Sequence, residues 1–142
     1  MNCTNWIEKH ADFVPDRIAL RFLPNPDAPA WEWSYADFAG RVHKLARGLR
    51  QELGIGRGDR IAFLGYTHPA MLALLFACAR LGAILVPLNW RLAPAEHEYI
   101  LRNAGVSTVV CEQDFLKHAE HCQAALPENR GVAGGFAQEG WV

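Results

Sequence analysis

Three consecutive stretches decide the fold: Arg60-Ile-Ala-Phe-Leu-Gly65, Ala70-Met-Leu-Ala-Leu-Leu-Phe-Ala-Cys-Ala-Arg-Leu81 and Ala83-Ile-Leu-Val-Pro-Leu88. The first has the unbroken apolar run of a central parallel strand, buried on both faces. The second begins where Thr67 and Pro69 open a helix. Its apolar residues lie nearly all round the axis, which predicts burial between layers, and Gly82 ends it as a left-handed cap. The third is short and aliphatic, follows Gly82, and reads as a second strand.

Working outward, Pro94 and Glu96 mark another helix start, Gly105 closes it, and Val106-Ser-Thr-Val-Val-Cys111 is a third strand. Asp114 to Leu126 adds an amphipathic helix. Strand, helix, strand, helix, strand with short connections implies right-handed crossovers and a parallel sheet flanked by helices, an α/β doubly wound fold. Upstream, Trp6, Ile7, His10 and Phe13 recur at helical spacing before Pro15, and Ile18–Phe22 reads as a strand. Pro24, Pro26 and Pro29 deny backbone donors to any ladder and predict a surface loop. Ser34 with Asp37 three residues on is a capping pair, and Trp33 and Phe38 are spaced as a hydrophobic staple. Phe38, Val42, Leu45, Leu49 and Leu53 then form one stripe opposite Arg41, Lys44, Arg47 and Arg50. The predicted division is 1–130 as an α/β subdomain and 131–142 as a glycine-rich C-terminal loop.

A chain of 142 residues, 51% hydrophobic, 11% aromatic and 20% charged, is long enough to bury a core unaided. Its 14 basic and 15 acidic residues are interspersed and sum to -1, so no basic face exists for nucleic acid. Cys3, Cys78, Cys111 and Cys122 form no CxxC pair, which fits reduced thiols in a cytoplasmic setting. The charged and amide-bearing N-terminus does not read as a secretion signal, and none is expected. Arg80, Gly82 and Pro87 break the apolar segment from Ala70 to Leu88, so it reads as helix plus strand rather than a membrane span.

Several constellations invite a chemical reading. Gly54, Gly56 and Gly58 follow a helix and precede a strand, the reverse of a dinucleotide loop, and read as a helix-ending turn. Cys111, His118, His121 and Cys122 are legitimate zinc ligands by type. Yet Cys111 ends a strand, and adjacent His121 and Cys122 diverge by about 100° on a helix; no metal site is expected. His68 lies at a strand end beside a helix N-terminus but has no serine, cysteine or carboxylate near it in sequence, which favours a capped helix with one exposed histidine over a catalytic base. Asn89-Trp-Arg91 leaves the second strand at its C-terminal end, the rim where open α/β sheets bind ligands. Arg91 suits a phosphate; pairing with a helix C-terminus or an acidic neighbour such as Glu96 is equally open from the residues alone.

The order of elements, with Trp33-Ser-Tyr-Ala-Asp37, Arg57-Gly-Asp-Arg-Ile-Ala62, Ala79-Arg-Leu-Gly-Ala83, Val86-Pro-Leu-Asn-Trp-Arg-Leu92 and Pro94-Ala-Glu-His-Glu-Tyr-Ile-Leu101, resembles the N-terminal region of ATP-dependent acyl-CoA synthetases. The resemblance runs from Trp6 to about Leu126. It implies a partial N-terminal subdomain of a larger domain and, for the parent enzyme, ATP, Mg2+ and coenzyme A acting on a small-molecule carboxylic acid, expected to be a fatty acid. The family's Ser/Thr/Gly-rich phosphate loop with its lysine has no counterpart in Gly131 to Gly140. The chain alone is therefore expected to be non-catalytic, to contain no catalytic residue and to bind none of these cofactors tightly. The resemblance places Arg91 near the coenzyme A phosphates and makes Asn89 structural. It implies the remainder of a synthetase chain as partner, self-association through uncovered apolar surface, and cytoplasmic placement with peripheral membrane contact open to the intact enzyme. Ala93 stands where members often carry a capping Ser or Thr, and Gly65-Tyr-Thr-His68 where an asparagine is commoner. The competing reading is a free-standing α/β module that binds coenzyme A or a partner.

Overall fold

The computed structural model describes residues 6–24, 29–126 and 131–135. Helix α1 (Trp6–Phe13) is followed by strands β1 (Ile18–Phe22) and β2 (Trp31–Ser34), and then by α2 (Tyr35–Glu52). The remainder is β3 (Arg60–Leu64), α3 (Pro69–Leu81), β4 (Ile84–Leu88), α4 (Pro94–Ala104), β5 (Thr108–Cys111), a 3-10 turn, α5 (Leu116–Ala124) and β6 (Gly131–Ala133).

The main sheet runs in the order β4-β3-β5-β6 and is parallel throughout, with Ile61 opposite both Leu85 and Thr108. The pleat sends alternate residues of β3 and β5 to opposite faces. Ile61, Phe63 and Val110 join the stripes of α2 and α3 on one side. Ala62, Leu64, Val109 and Cys111 join Leu101 of α4 and Ala119, Cys122 and Leu126 from the α5 segment on the other. Two cores on one sheet are the doubly wound arrangement expected from the alternation of elements.

Helix α2 shows how local signals and packing agree. The Ser34 hydroxyl accepts from the Asp37 N–H at 3.1 Å, and the Asp37 carboxylate accepts from the Ser34 N–H at 3.1 Å, completing a capping box. Trp33 and Phe38 meet with ring centroids 5.9 Å apart, closing the staple. Phe38, Val42, Leu45 and Leu49 are all buried, each side chain contributing roughly 1.5–3 kcal/mol by its removal from water. The helix ends as the glycines require, with Gly54 at φ 64° and Gly58 at φ 87°. The Gly56 N–H donates to the Asp59 carboxylate at 2.8 Å, so this triplet is the turn its position predicts.

Four details depart from the sequence reading. First, β2 pairs antiparallel with β1, with Arg21 opposite Glu32 and their side chains 2.5 Å apart. Only four residues separate the proline-rich segment from the α2 cap, too few for a periodic signal. Second, His68 rather than Thr67 caps α3, its Nδ1 accepting from the Ala70 N–H at 3.1 Å. Third, Gly131–Ala133 extend the sheet as β6, although composition predicts loop from residue 131 onward. Pairing with β5 supplies what the sparse side chains do not. Fourth, α3 is buried along one face only, with Ala70, Ala73, Leu74, Ala77 and Cys78 inward while Leu72 and Leu75 stay exposed. Cys3, Pro26, Pro127 and Gly140 lie outside the described residues, and among those described no helix is long and apolar enough to cross a membrane.

Candidate functional site

The C-terminal ends of β3, β4 and β5 lie side by side, and each delivers an aromatic residue to one rim. Tyr66 follows β3, Trp90 follows β4 and Phe115 follows β5. The Tyr66 ring meets both Trp90 and Phe115 edge-on with centroids 5.1 Å apart, an arrangement aromatic quadrupoles favour. Tyr66 and Trp90 remain exposed. The Arg91 guanidinium lies 4.1 Å above the centre of the Trp90 ring, a cation–π contact.

The backbone that presents this pair is fixed by short-range bonds. Asn89 Oδ1 accepts from the Arg91 N–H at 3.1 Å, closing an Asx turn, and the Asn89 carbonyl accepts from the Leu92 N–H at 3.1 Å. Asn89 is thus structural, as expected. Glu96 is occupied elsewhere: its carboxylate accepts from the Ala93 N–H at 2.8 Å. No described carboxylate pairs with Arg91, so the Glu96 alternative falls away. Ala93 itself offers no side-chain cap, and α4 starts on that half of a capping box alone.

Gly65 leaves β3 where no side chain fits, since a Cβ there would stand 2.8 Å from the Phe63 ring and 3.0 Å from Glu112. Glu112 sits against this turn; burial pushes its carboxyl above the usual range, partly opposed by a hydrogen bond from the Tyr66 backbone. His68 caps α3 and touches Phe22 edge-on at 5.1 Å. Burial lowers its pKa, and with Nδ1 committed to Ala70 it is placed as a cap rather than as a base. The rim therefore gathers Tyr66, Trp90 and Phe115 beside the Arg91 guanidinium, with no serine or cysteine nucleophile among the described residues there. A separate groove of about 540 Å³ between α2 and β6, lined by Leu45, Leu49, Leu53, Val132 and Ala133, contains none of these residues.

The described residues do not fit a triphosphate with its magnesium. Gly131–Ala133 are committed to the sheet, and a Cβ at Gly134 would stand 2.7 Å from Leu116. No Ser, Thr or Lys accompanies these glycines to hold phosphate oxygens.

Of the histidines and cysteines weighed as metal ligands, Cys111 is buried in the sheet core and His121 points outward to Glu98 at 3.5 Å. His118 and Cys122, by contrast, converge on His97 of α4, with the three ligand atoms within 4.8 Å of one another. Sequence reasoning missed His97. The signal available was the four-residue spacing of His118 and Cys122, which puts both on one face of α5.

A parallel sheet wound on both faces, with a polar and aromatic rim at the strand ends, is the doubly wound α/β class, in which strand-end rims are the usual place for ligands. Residues 7–135 match the AMP-binding enzyme family, and the chain belongs to it. The chain is 39% identical over 142 residues to an indoleacetate–CoA ligase of Aromatoleum aromaticum, covering 100% of this chain and 26% of that protein. It is 47% identical over 126 residues to a feruloyl-CoA synthase of an Amycolatopsis species, covering 89% and 23%. Among solved structures, the N-terminal domain of FACL13 from Mycobacterium tuberculosis superposes with a TM-score of 0.80 at 28% identity, covering 94% of this chain and 34% of that one. The chain thus spans about a quarter of the length of these two curated relatives, one named a CoA ligase and the other a CoA synthase.

Proposed function

We propose that this chain is the leading portion of an AMP-forming acid–thiol ligase, and that Arg91 is its contact with the phosphates of coenzyme A. The intact enzyme would join a carboxylate to the AMP moiety of ATP with loss of pyrophosphate. It would then transfer the acyl group to the coenzyme A sulfur with loss of AMP. The observation that carries the Arg91 reading is its placement: an exposed guanidinium on the strand-end rim, stacked on Trp90 and paired with no described carboxylate. Stacking holds the fork in place while leaving its N–H donors free for a phosphate.

Relatives named for indoleacetate and feruloyl substrates widen the expected acid from a fatty acid to an apolar carboxylic acid, aliphatic or aryl. Adenylation falls to segments other than those described, since no triphosphate site fits here. In the complete enzyme, Arg91→Ala should raise the KM for coenzyme A by on the order of tenfold, the loss of one charged hydrogen-bonding group. Acid-dependent ATP–pyrophosphate exchange should be unchanged. An unaltered coenzyme A dependence would remove Arg91 from the site. The 142-residue chain alone should form no adenylate with ATP, magnesium and a carboxylic acid, and measurable turnover would overturn the reading of a leading portion that is non-catalytic by itself.

A further inference from the structure

Helices α4 and α5 lie on the same face of the sheet and share one core. His97, in the second turn of α4, is completely buried. Its Nε2 stands 2.9 Å from the carbonyl oxygen of Asn89. A carbonyl only accepts, so Nε2 holds the proton and Nδ1 turns its lone pair away from the strand and toward α5. There it meets His118 Nε2 at 2.8 Å. One turn further along α5, Cys122 Sγ points the same way, its thiol 3.7 Å from the Pro94 carbonyl at the start of α4.

We propose that His97 Nδ1, His118 Nε2 and Cys122 Sγ form a Zn2+ site that clamps α4 to α5 beneath the Asn89–Arg91 turn. Two imidazoles and a thiolate are ligands suited to zinc. A metal-bound histidine characteristically donates its other ring N–H to a carbonyl or carboxylate, and His97 already does so to Asn89. A hydrogen-bonded histidine pair would satisfy a buried imidazole without any metal. A core cysteine bonded to a carbonyl is likewise ordinary by itself; what marks this group is that all three ligand atoms lie within 4.8 Å of one another.

The geometry needs a modest change. Tetrahedral zinc with its usual bond lengths separates two nitrogens by about 3.3 Å and a nitrogen from a sulfur by about 3.6 Å. The two histidines must therefore spread by about half an ångström, and a nitrogen and the sulfur standing up to 4.8 Å apart must close by about 1.2 Å; His118, which is only partly buried, can move. On binding, Cys122 loses its thiol proton to solvent as the Zn–S bond forms, and His118 keeps its own proton by shifting it to Nδ1. Three protein ligands leave the fourth position to water. Because the Asn89 carbonyl that orients His97 belongs to the turn carrying Trp90 and Arg91, a bound ion would also stiffen that rim.

Titration of the full chain with Zn2+, and with Co2+ as a spectroscopic probe, tests the proposal. The expected result is one tight equivalent, a Co2+ spectrum of tetrahedral type with a thiolate charge-transfer band, and a Tm raised by Zn2+. Cys122→Ser should abolish that band and weaken Zn2+ at least tenfold. His118→Gln should weaken it comparably, and His121→Gln should leave binding intact. Circular dichroism of each apo variant separates lost ligation from lost folding. Absence of a stoichiometric site in the folded wild-type chain would overturn the proposal. So would affinity that survives both the Cys122 and His118 substitutions.

Discussion

Gly65 shows how a single residue can set the path of the chain at the rim. A Cβ at this position meets the ring of Phe63, itself buried, and the stem of Glu112. Gly65→Ala is therefore expected to cost about 1–3 kcal/mol, the usual penalty of overpacking, visible as a lower denaturant midpoint with unchanged slope. The buried thiols make a second prediction at this scale. Burial pushes Cys78 up to about 12 and Cys111 to about 11, the latter with help from Glu120 and Glu112. Thiolate, the reactive form, is scarce for both at about pH 8. Alkylation followed by mass spectrometry should leave both unlabelled in the native chain and label both after unfolding; labelling of the native chain at the rate of a free thiol would show that these positions open. Legibility varied at this scale. Asn89 and Arg91 could be placed on the rim because a strand's direction fixes where its exit lies. His97 could not, because its ring nitrogens are defined by a carbonyl 8 residues away and a histidine 21 residues away, and single-sequence periodicity carries no such pairing.

At the scale of elements, the two helix starts differ in quality and predict opposite responses. Helix α2 begins on a complete capping box, and Ser34→Ala should destabilise the chain by about 1 kcal/mol. Its hydrogen bonds from the Ser34 side chain and backbone hold Asp37 below the ordinary carboxylate range. A folded-state pKa that is lowered means stability fully present above the unfolded value of about 3.9 and lost as pH falls through the lower folded value. Acid titration of wild type against Asp37→Asn should therefore show curves that converge below about pH 4; parallel curves would mean that Asp37 contributes nothing. Helix α4 begins on Ala93 in an extended conformation, φ −72° and ψ 157°, with no side-chain acceptor. Ala93→Ser fits that backbone unchanged and should stabilise by about 0.5–1 kcal/mol. These starts were readable because caps act within a few residues. By the same logic β2 and β6 were not: each is a short segment whose structure comes from a partner strand, Ile18–Phe22 for one and Thr108–Cys111 for the other.

For the whole molecule, the decisive feature is the apolar surface that the described residues leave uncovered. Leu72 and Leu75 on α3 are 37% and 44% exposed, and Ile84 at the start of edge strand β4 is 48% exposed. The sequence reading expected α3 to be enclosed on all sides, since its apolar residues run round the axis. The structure instead buries one face, Ala70, Ala73, Leu74, Ala77 and Cys78, and turns Leu72 and Leu75 outward. Composition reports how apolar a helix is, not what covers it. In an intact ligase the rest of the chain would cover this face; alone, the 142-residue chain should self-associate through it, because exposed apolar area drives association much as it drives folding. Sedimentation velocity should show mass that rises with concentration. The double substitution Leu72→Lys and Leu75→Glu should restore a monomer while changing stability by no more than about 0.5 kcal/mol, as expected for surface positions. A wild-type chain that remains monomeric at all concentrations would instead favour a self-sufficient α/β module, with the exposed leucines as ordinary surface residues.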